Sequence, residues 1–161
     1  MADTHVSGNV PLSPEAAFDV FVQQIDTWWP RKGVFPFSFA PSTTHPRHIR
    51  FEGGNNGRFY ETFADDTEYE IGRITNWDPP NRITYTWRDP VWPTATTISV
   101  SFNETTNGTE VIYEQSGFAE AGVPELPPYY QIGNRQTLAS FFAHCHAISE
   151  LQTLQKLTAK S

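Results

Sequence analysis

The sequence has a single cysteine, Cys145, and so no internal disulfide. A lone thiol fits a reducing compartment, and the cytoplasm is the expected setting. Long apolar runs are missing too. Nothing approaches the roughly 20 residues that cross a bilayer, so no membrane insertion is expected. The opening segment, MADTHVSGNV, has no basic stretch followed by an apolar one, which predicts no secretory leader. Cations are scarce: 11 Lys and Arg stand against 18 Asp and Glu, a formal net charge of -7. Arg47, Arg50 and Arg58 are dispersed among acids. A duplex or single strand needs a cationic face, so no nucleic-acid partner is expected.

Aromatic side chains are abundant, with five Trp, six Tyr and twelve Phe. Such rings fill cores, but they also line cavities, because stiff rings border a space without collapsing into it. Composition leaves both readings open.

The 161 residues suit one domain, 1–161. A strand is expected from His5 to Val10, with Val6, Gly8 and Val10 on one side. Ser13-Pro14-Glu15 then opens a helix as N-cap, first-turn proline and first-turn acid. Ala17, Phe18, Phe21, Val22 and Ile25 recur at helical spacing, and Trp28-Trp29-Pro30 ends the element. In the Pro- and Phe-rich stretch 31–47, Phe35, Phe37 and Phe39 alternate, which leaves a loop, a short helix or an irregular strand open. Six strand candidates follow, each closed by a turn signal: 47–52, 58–64, 69–77, 82–88, 96–103 and 109–115. Short strands joined by short turns predict an antiparallel meander. After a connector containing Pro124, Pro127 and Pro128, a helix is expected from Tyr130 to Leu157. Its apolar stripe is Leu138, Phe141, Phe142, Cys145 and Ile148, with Leu151 and Leu154 continuing near it. Helices placed outside a run of strands predict an α+β fold with the helices on one sheet face.

A twisted antiparallel sheet curls around a long helix, and the concave side becomes a place for a small molecule. Ile83/Tyr85/Trp87, Ile98/Val100/Phe102 and Val111/Tyr113 are expected to face inward. The expected ligand-binding residues are Trp29, Phe35, Phe37, Phe39, Tyr60, Tyr85, Trp87, Val100, Tyr113, Leu138, Phe141, Phe142 and Cys145. Trp29, Phe35, Phe37 and Phe39 are expected to close the entrance.

Tyr60 and Glu61 are neighbours on a strand and so face opposite sides. Glu61 is a candidate for proton transfer, if burial raises its pKa, and a Tyr hydroxyl is the alternative. The competing reading is a rim ion pair with Arg58, Arg73 or Arg88. His144-Cys145-His146 looks like a ligand cluster, yet residues one and two apart on a helix diverge and do not close on one metal. His45 and His48 flank the expected entrance. CxxC, HExxH and G-x-S-x-G motifs are missing, and no metal or cofactor is expected. Gly53-Gly54-Asn55-Asn56-Gly57 lacks the lysine of a phosphate loop and is expected to be a hairpin turn.

One set of segments, in order, is distinctive: Trp28-Trp29-Pro30, Gly57-Arg58-Phe59-Tyr60-Glu61, Gly72-Arg73-Ile74-Thr75-Asn76-Trp77-Asp78-Pro79-Pro80, Ile83-Thr84-Tyr85-Thr86-Trp87 and Gly108-Thr109-Glu110-Val111. Together they resemble the SRPBCC superfamily, and within it proteins like the C-terminal-type domain of the activator of heat-shock-protein-ninety ATPase. The resemblance implies a helix-grip (START-like) fold: a curved antiparallel sheet wrapped around a long C-terminal helix, with a hydrophobic cavity. Superfamily members carry lipids, bind hormones, cyclise polyketides or bind reactive natural products. The leading expectation is therefore binding, sequestration or transport of a hydrophobic small molecule, lipid- or polyketide-like. A cyclase or hydrolase-like enzyme using the same cavity is the second reading. A chaperone-associated module that docks a partner through its Phe-rich segment is the third. A homodimer is the assembly left open.

Overall fold

The computed structural model describes residues 2–31 and 37–159. In chain order the elements are β1 (Thr4–Val10), α1 (Pro14–Gln23), α2 (Ile25–Trp28), β2 (Pro46–Phe51), β3 (Arg58–Phe63), β4 (Glu68–Asp78), β5 (Arg82–Trp87), β6 (Thr96–Thr105), β7 (Gly108–Ser116) and α3 (Pro127–Ala159). The strands form one antiparallel sheet in the order β1-β7-β6-β5-β4-β3-β2. β2 to β7 are a meander, each strand beside its chain neighbour. β1 crosses to the far side and pairs with β7, from Thr4 opposite Gln115 to Val10 opposite Thr109. The first two strands are therefore the two edges, and α1–α2 carries the chain between them.

Local sequence explains the helix starts. The Ser13 hydroxyl accepts from the Ala16 amide at 3.2 Å, ahead of Pro14. That satisfies a free N–H of the first turn. α3 starts three residues before the expected Tyr130. Pro127 and Pro128 belong to its first turn rather than to a connector, because a proline there sacrifices no helical bond. α3 buries Asn134, Thr137, Leu138, Phe141 and Cys145 against the sheet. The stripe does not run on as expected: Leu151, Leu154 and Leu157 are 58–62% exposed, because the helix outlasts the sheet.

Two features of the sheet bend it around α3. β4 carries two irregularities, where pairing steps from Phe59/Gly72 to Tyr60/Glu70 and from Ile74/Tyr85 to Asn76/Thr84. An extra residue on one strand sharpens its twist. Gly72 stands at the first, and a Cβ there would lie 1.8 Å from the Thr86 carbonyl oxygen. The close approach is thus to β5. On β1, a Cβ at Gly8 would lie 2.6 Å from the Phe142 ring. The absent side chain lets α3 lie down on that edge.

A buried polar chain fixes the helix. Asn134 Nδ2 donates to Gln115 Oε1 at 3.0 Å and to Thr4 Oγ1 at 3.2 Å. Gln115 Nε2 donates to Thr96 Oγ1 at 2.9 Å, and Thr96 donates onward to the Trp87 carbonyl at 2.8 Å. Every buried side-chain nitrogen and oxygen among the described residues has a partner, as folded interiors require.

Candidate functional site

The aromatic interior divides into two regions of different chemistry. The first lies under α1 and α2. Phe21 packs edge-on to Phe141 at 5.3 Å and to Phe102 at 5.9 Å, and Trp28 packs against Phe141 at 5.2 Å. Phe18 meets Phe102 and Trp77, each at 5.3 Å. Its one polar group, the Trp28 indole N–H, is spent on the Val20 carbonyl. This region is core.

The second region centres on Trp87 at the end of β5. Phe39 lies 5.3 Å from its ring, Phe59 6.0 Å, Trp29 6.3 Å and Tyr130 of α3 6.4 Å. Tyr69 packs on Phe39 at 5.0 Å, and Tyr85 on Phe59 at 5.2 Å. Polar groups are set among these rings. The Trp87 indole donates to the Tyr130 hydroxyl at 3.2 Å, and the Trp29 indole to the Phe37 carbonyl at 2.7 Å. Tyr85 of β5 and Tyr113 of β7 stand on either side of β6, both buried on the concave face. Burial raises the pKa of all three phenols, that of Tyr130 to about 12, so they are neutral donors at physiological pH.

Glu61 is the distinctive member. β3 alternates with Phe59, Glu61 and Phe63 inward and buried. Glu61 is 2% exposed. Its Oε1 accepts from the Phe39 amide at 2.7 Å and its Oε2 from the Ser38 hydroxyl at 2.5 Å. Desolvation lifts its pKa above the ordinary 4.5; the Ser38 and Phe39 bonds and the charge of Arg31 offset only part of that. The rim ion pair is overturned. Arg58 binds Glu52 and Glu68, Arg73 binds Glu70, and Arg88 Nε donates to the Trp92 carbonyl. The sequence reading missed the partners of Glu61 because Ser38 lies in a stretch whose conformation the sequence leaves open.

The other expected site residues divide. Trp29, Phe39, Tyr85, Trp87 and Tyr113 meet in the second region, and Val100 lies opposite Tyr113 on β6. Phe37 is at its margin and packs on the core. Phe35 lies outside the described residues. Leu138, Phe141 and Cys145 are fully buried under α3, Phe141 in the first region. The Cys145 thiol is pushed up to about 12 by burial, which suits a small hydrophobe. Phe142 lies over Gly8 at the β1 edge. Tyr60 is a correction: it stands on the outer face, with the Arg58 guanidinium 4.2 Å from its ring centre, because a neighbour of inward Glu61 must point outward.

Tyr130, Tyr69 and Ser38 join the region unforeseen. The histidines disperse. His144 bonds Gln24 at 2.8 Å, His48 bonds Asp26 at 2.7 Å, and His45 and His146 are exposed. No group of three metal-ligating side chains converges among the described residues. No helix among them is long and apolar enough to cross a membrane. Surface clefts of about 480 Å³, beside Asn9, Thr105 and His146, and about 300 Å³, between α1 and Trp77, lie outside the second region.

The chain matches a known sequence profile, Activator of Hsp90 ATPase homolog 1-like protein, over residues 11–144. The chain belongs to this family. Its helix-grip fold recurs in solved relatives. A protein from Mesorhizobium loti superposes with a TM-score of 0.61 at 17% identity, over 91% of this chain and 96% of that one. The AHSA1-like protein from Aeromonas hydrophila gives 0.61 at 18%, over 90% and 92%. An anthrahydroquino-gamma-pyrone synthase, Txn09, gives 0.56 at 28%, over 89% and 99%. No curated protein matches in sequence.

Proposed function

We propose that the chain binds a mostly apolar, planar aromatic small molecule between the concave face of the sheet and α3, in the region around Trp87, and sequesters or carries it in the cytoplasm. The carrying observation is the sorting of polarity: phenol donors and one carboxylate gather among the rings around Trp87, while the neighbouring aromatic region is built of Phe and Trp rings. A core built only for stability gains nothing from placing Glu61 there, since burying a charge is costly without an ion pair. Flat ligands suit a wall of rings, which offers stacking and edge contacts worth about 0.5–1.5 kcal/mol each. The 28% identity to a synthase of a fused aromatic pyrone supports a ligand of that shape.

A specific observation favours a second reading, catalysis in the same place. Glu61 is inward and has a raised pKa, which suits a general base poised toward neutrality. One experiment separates the two. The protein is titrated with tricyclic aromatic ketones and with fatty acids, following tryptophan fluorescence, and each mixture is then analysed by mass spectrometry. Saturable quenching by the tricyclic ketones with unchanged mass is the expected result. Product formation that disappears in Glu61→Gln establishes the enzyme instead. A preference for fatty acids, or no saturation by any compound, refutes the proposal.

A further inference from the structure

The wall around Trp87 carries more hydrogen-bond donors than acceptors. Tyr85 pairs in register with Ile98, and Tyr113 with Val100 two residues along the same strand, so the two tyrosines flank β6 diagonally on the concave face. They are 2% and 3% exposed. Two phenols bring two hydrogens, and a bond between the two hydroxyls can use only one. The other has no acceptor among the described residues. Tyr130 repeats the pattern, since its oxygen receives the Trp87 N–H and its own hydrogen finds no acceptor among them. Tyr69, by contrast, donates to the Arg88 carbonyl. Glu61 accepts from Ser38 and Phe39, Gln115 Oε1 from Asn134 and the Trp87 carbonyl from Thr96, so none of these oxygens is turned to a tyrosine hydroxyl. A buried donor without an acceptor is costly and rare.

We infer that the Tyr85–Tyr113 pair is the polar anchor of the bound molecule, donating its spare hydrogen to a neutral oxygen, a ring carbonyl or its equivalent. The inference rests on the binding reading above and narrows it to oxygenated aromatics. The oxygen is neutral because no lysine or arginine among the described residues is buried and Glu61 already contributes a negative group. An anionic head group there would lie desolvated and uncompensated. Glu61 and the absence of a buried cation among the described residues thus select against fatty acids by charge, and the spare donor selects against bare hydrocarbons by an unmet hydrogen bond.

Xanthone and xanthene test this, because they share one tricyclic skeleton and differ at the carbonyl. Binding is followed by tryptophan quenching in the wild type and in the double variant Tyr85→Phe/Tyr113→Phe. The wild type is expected to favour xanthone about tenfold or more, the scale of one well-made buried hydrogen bond. The double variant is expected to bring the ratio close to one while xanthene affinity holds, which also reports that the variant is folded. Independently of any variant, the infrared carbonyl stretch of bound xanthone should fall below its value in hydrocarbon solvent. Equal affinities in the wild type, a ratio unchanged in the variant, or an unshifted carbonyl band overturns the anchor and leaves the binding reading standing. Failure of both probes to bind overturns both.

Discussion

Glu61→Gln is expected to stabilise the protein at neutral pH. The substitution keeps the shape of the side chain and removes its charge. The amide oxygen still accepts from the Phe39 N–H, now 2.7 Å from Oε1, and the amide N–H faces the Ser38 oxygen. Exchanging charged acceptors for neutral ones costs about 1 kcal/mol of bonding. Relief of carboxylate burial acts in the other direction and is the larger effect, since desolvation dominates and leaves the pKa raised. The net gain is on the order of 1 kcal/mol, about 2–4 °C in Tm for a domain of this size. Its pH dependence fixes the cause. A carboxyl whose folded pKa lies above its unfolded value contributes full stability below the unfolded value, near 4.5, and loses it as pH rises through the folded one. The wild type should therefore match the variant near pH 4 and fall behind it toward pH 8. Differential scanning fluorimetry across pH 4–8 measures this directly. A variant less stable than wild type at pH 7.5, or a gap that does not change with pH, would refute the reasoning. A stabilising removal is also what a group retained for function predicts.

Asp26 has the opposite sign. Burial opposes its ionisation, but the Ile49 amide, His48 and Arg31 outweigh it and hold the pKa below 3.8. Asp26→Ala should lose about 1 kcal/mol from the Ile49 N–H bond at neutral pH. The loss should vanish as pH falls through the native pKa of Asp26, as read by thermal melts. Gly72→Ala places a methyl group 1.8 Å from a backbone oxygen of β5. It should cost more than about 3 kcal/mol or abolish soluble expression, seen by circular dichroism and urea titration. Phe141→Ala should cost about 3–5 kcal/mol, since that ring is fully buried among Phe21, Trp28 and Phe142. Tyr60→Ala should leave ligand affinity unchanged while Trp87→Ala weakens it more than about tenfold, measured by calorimetry. Cys145 should resist a thiol reagent until the protein unfolds, because it is buried with its thiol pushed up to about 12.

Much of this molecule was legible from local pattern. Period-two alternation marked β5, β6 and β7 with their inward sets, and the Ser13-Pro14 cap marked α1, because those signals are written by neighbours in the chain. Local pattern also required Tyr60 and Glu61 to face opposite sides, since the strand pleat allows nothing else. Which of the two is inside was undetermined. That choice depends on where the sheet curls, and the curl comes from β4 irregularities paired with strands elsewhere in the chain. The division between core rings and site rings was equally hidden. Phe141 and Trp87 are alike in sequence, but only the three-dimensional arrangement brings one among phenylalanines and the other beside Tyr130, 43 residues away. Sequence by itself determined the seven strands, the first and last helices, their order and the greasy faces of β5, β6 and β7. Tertiary structure alone decided the company kept by Glu61, Tyr85 and Tyr113, because hydrogen bonds and desolvation belong to positions in space, and residues far apart in the chain create those positions together.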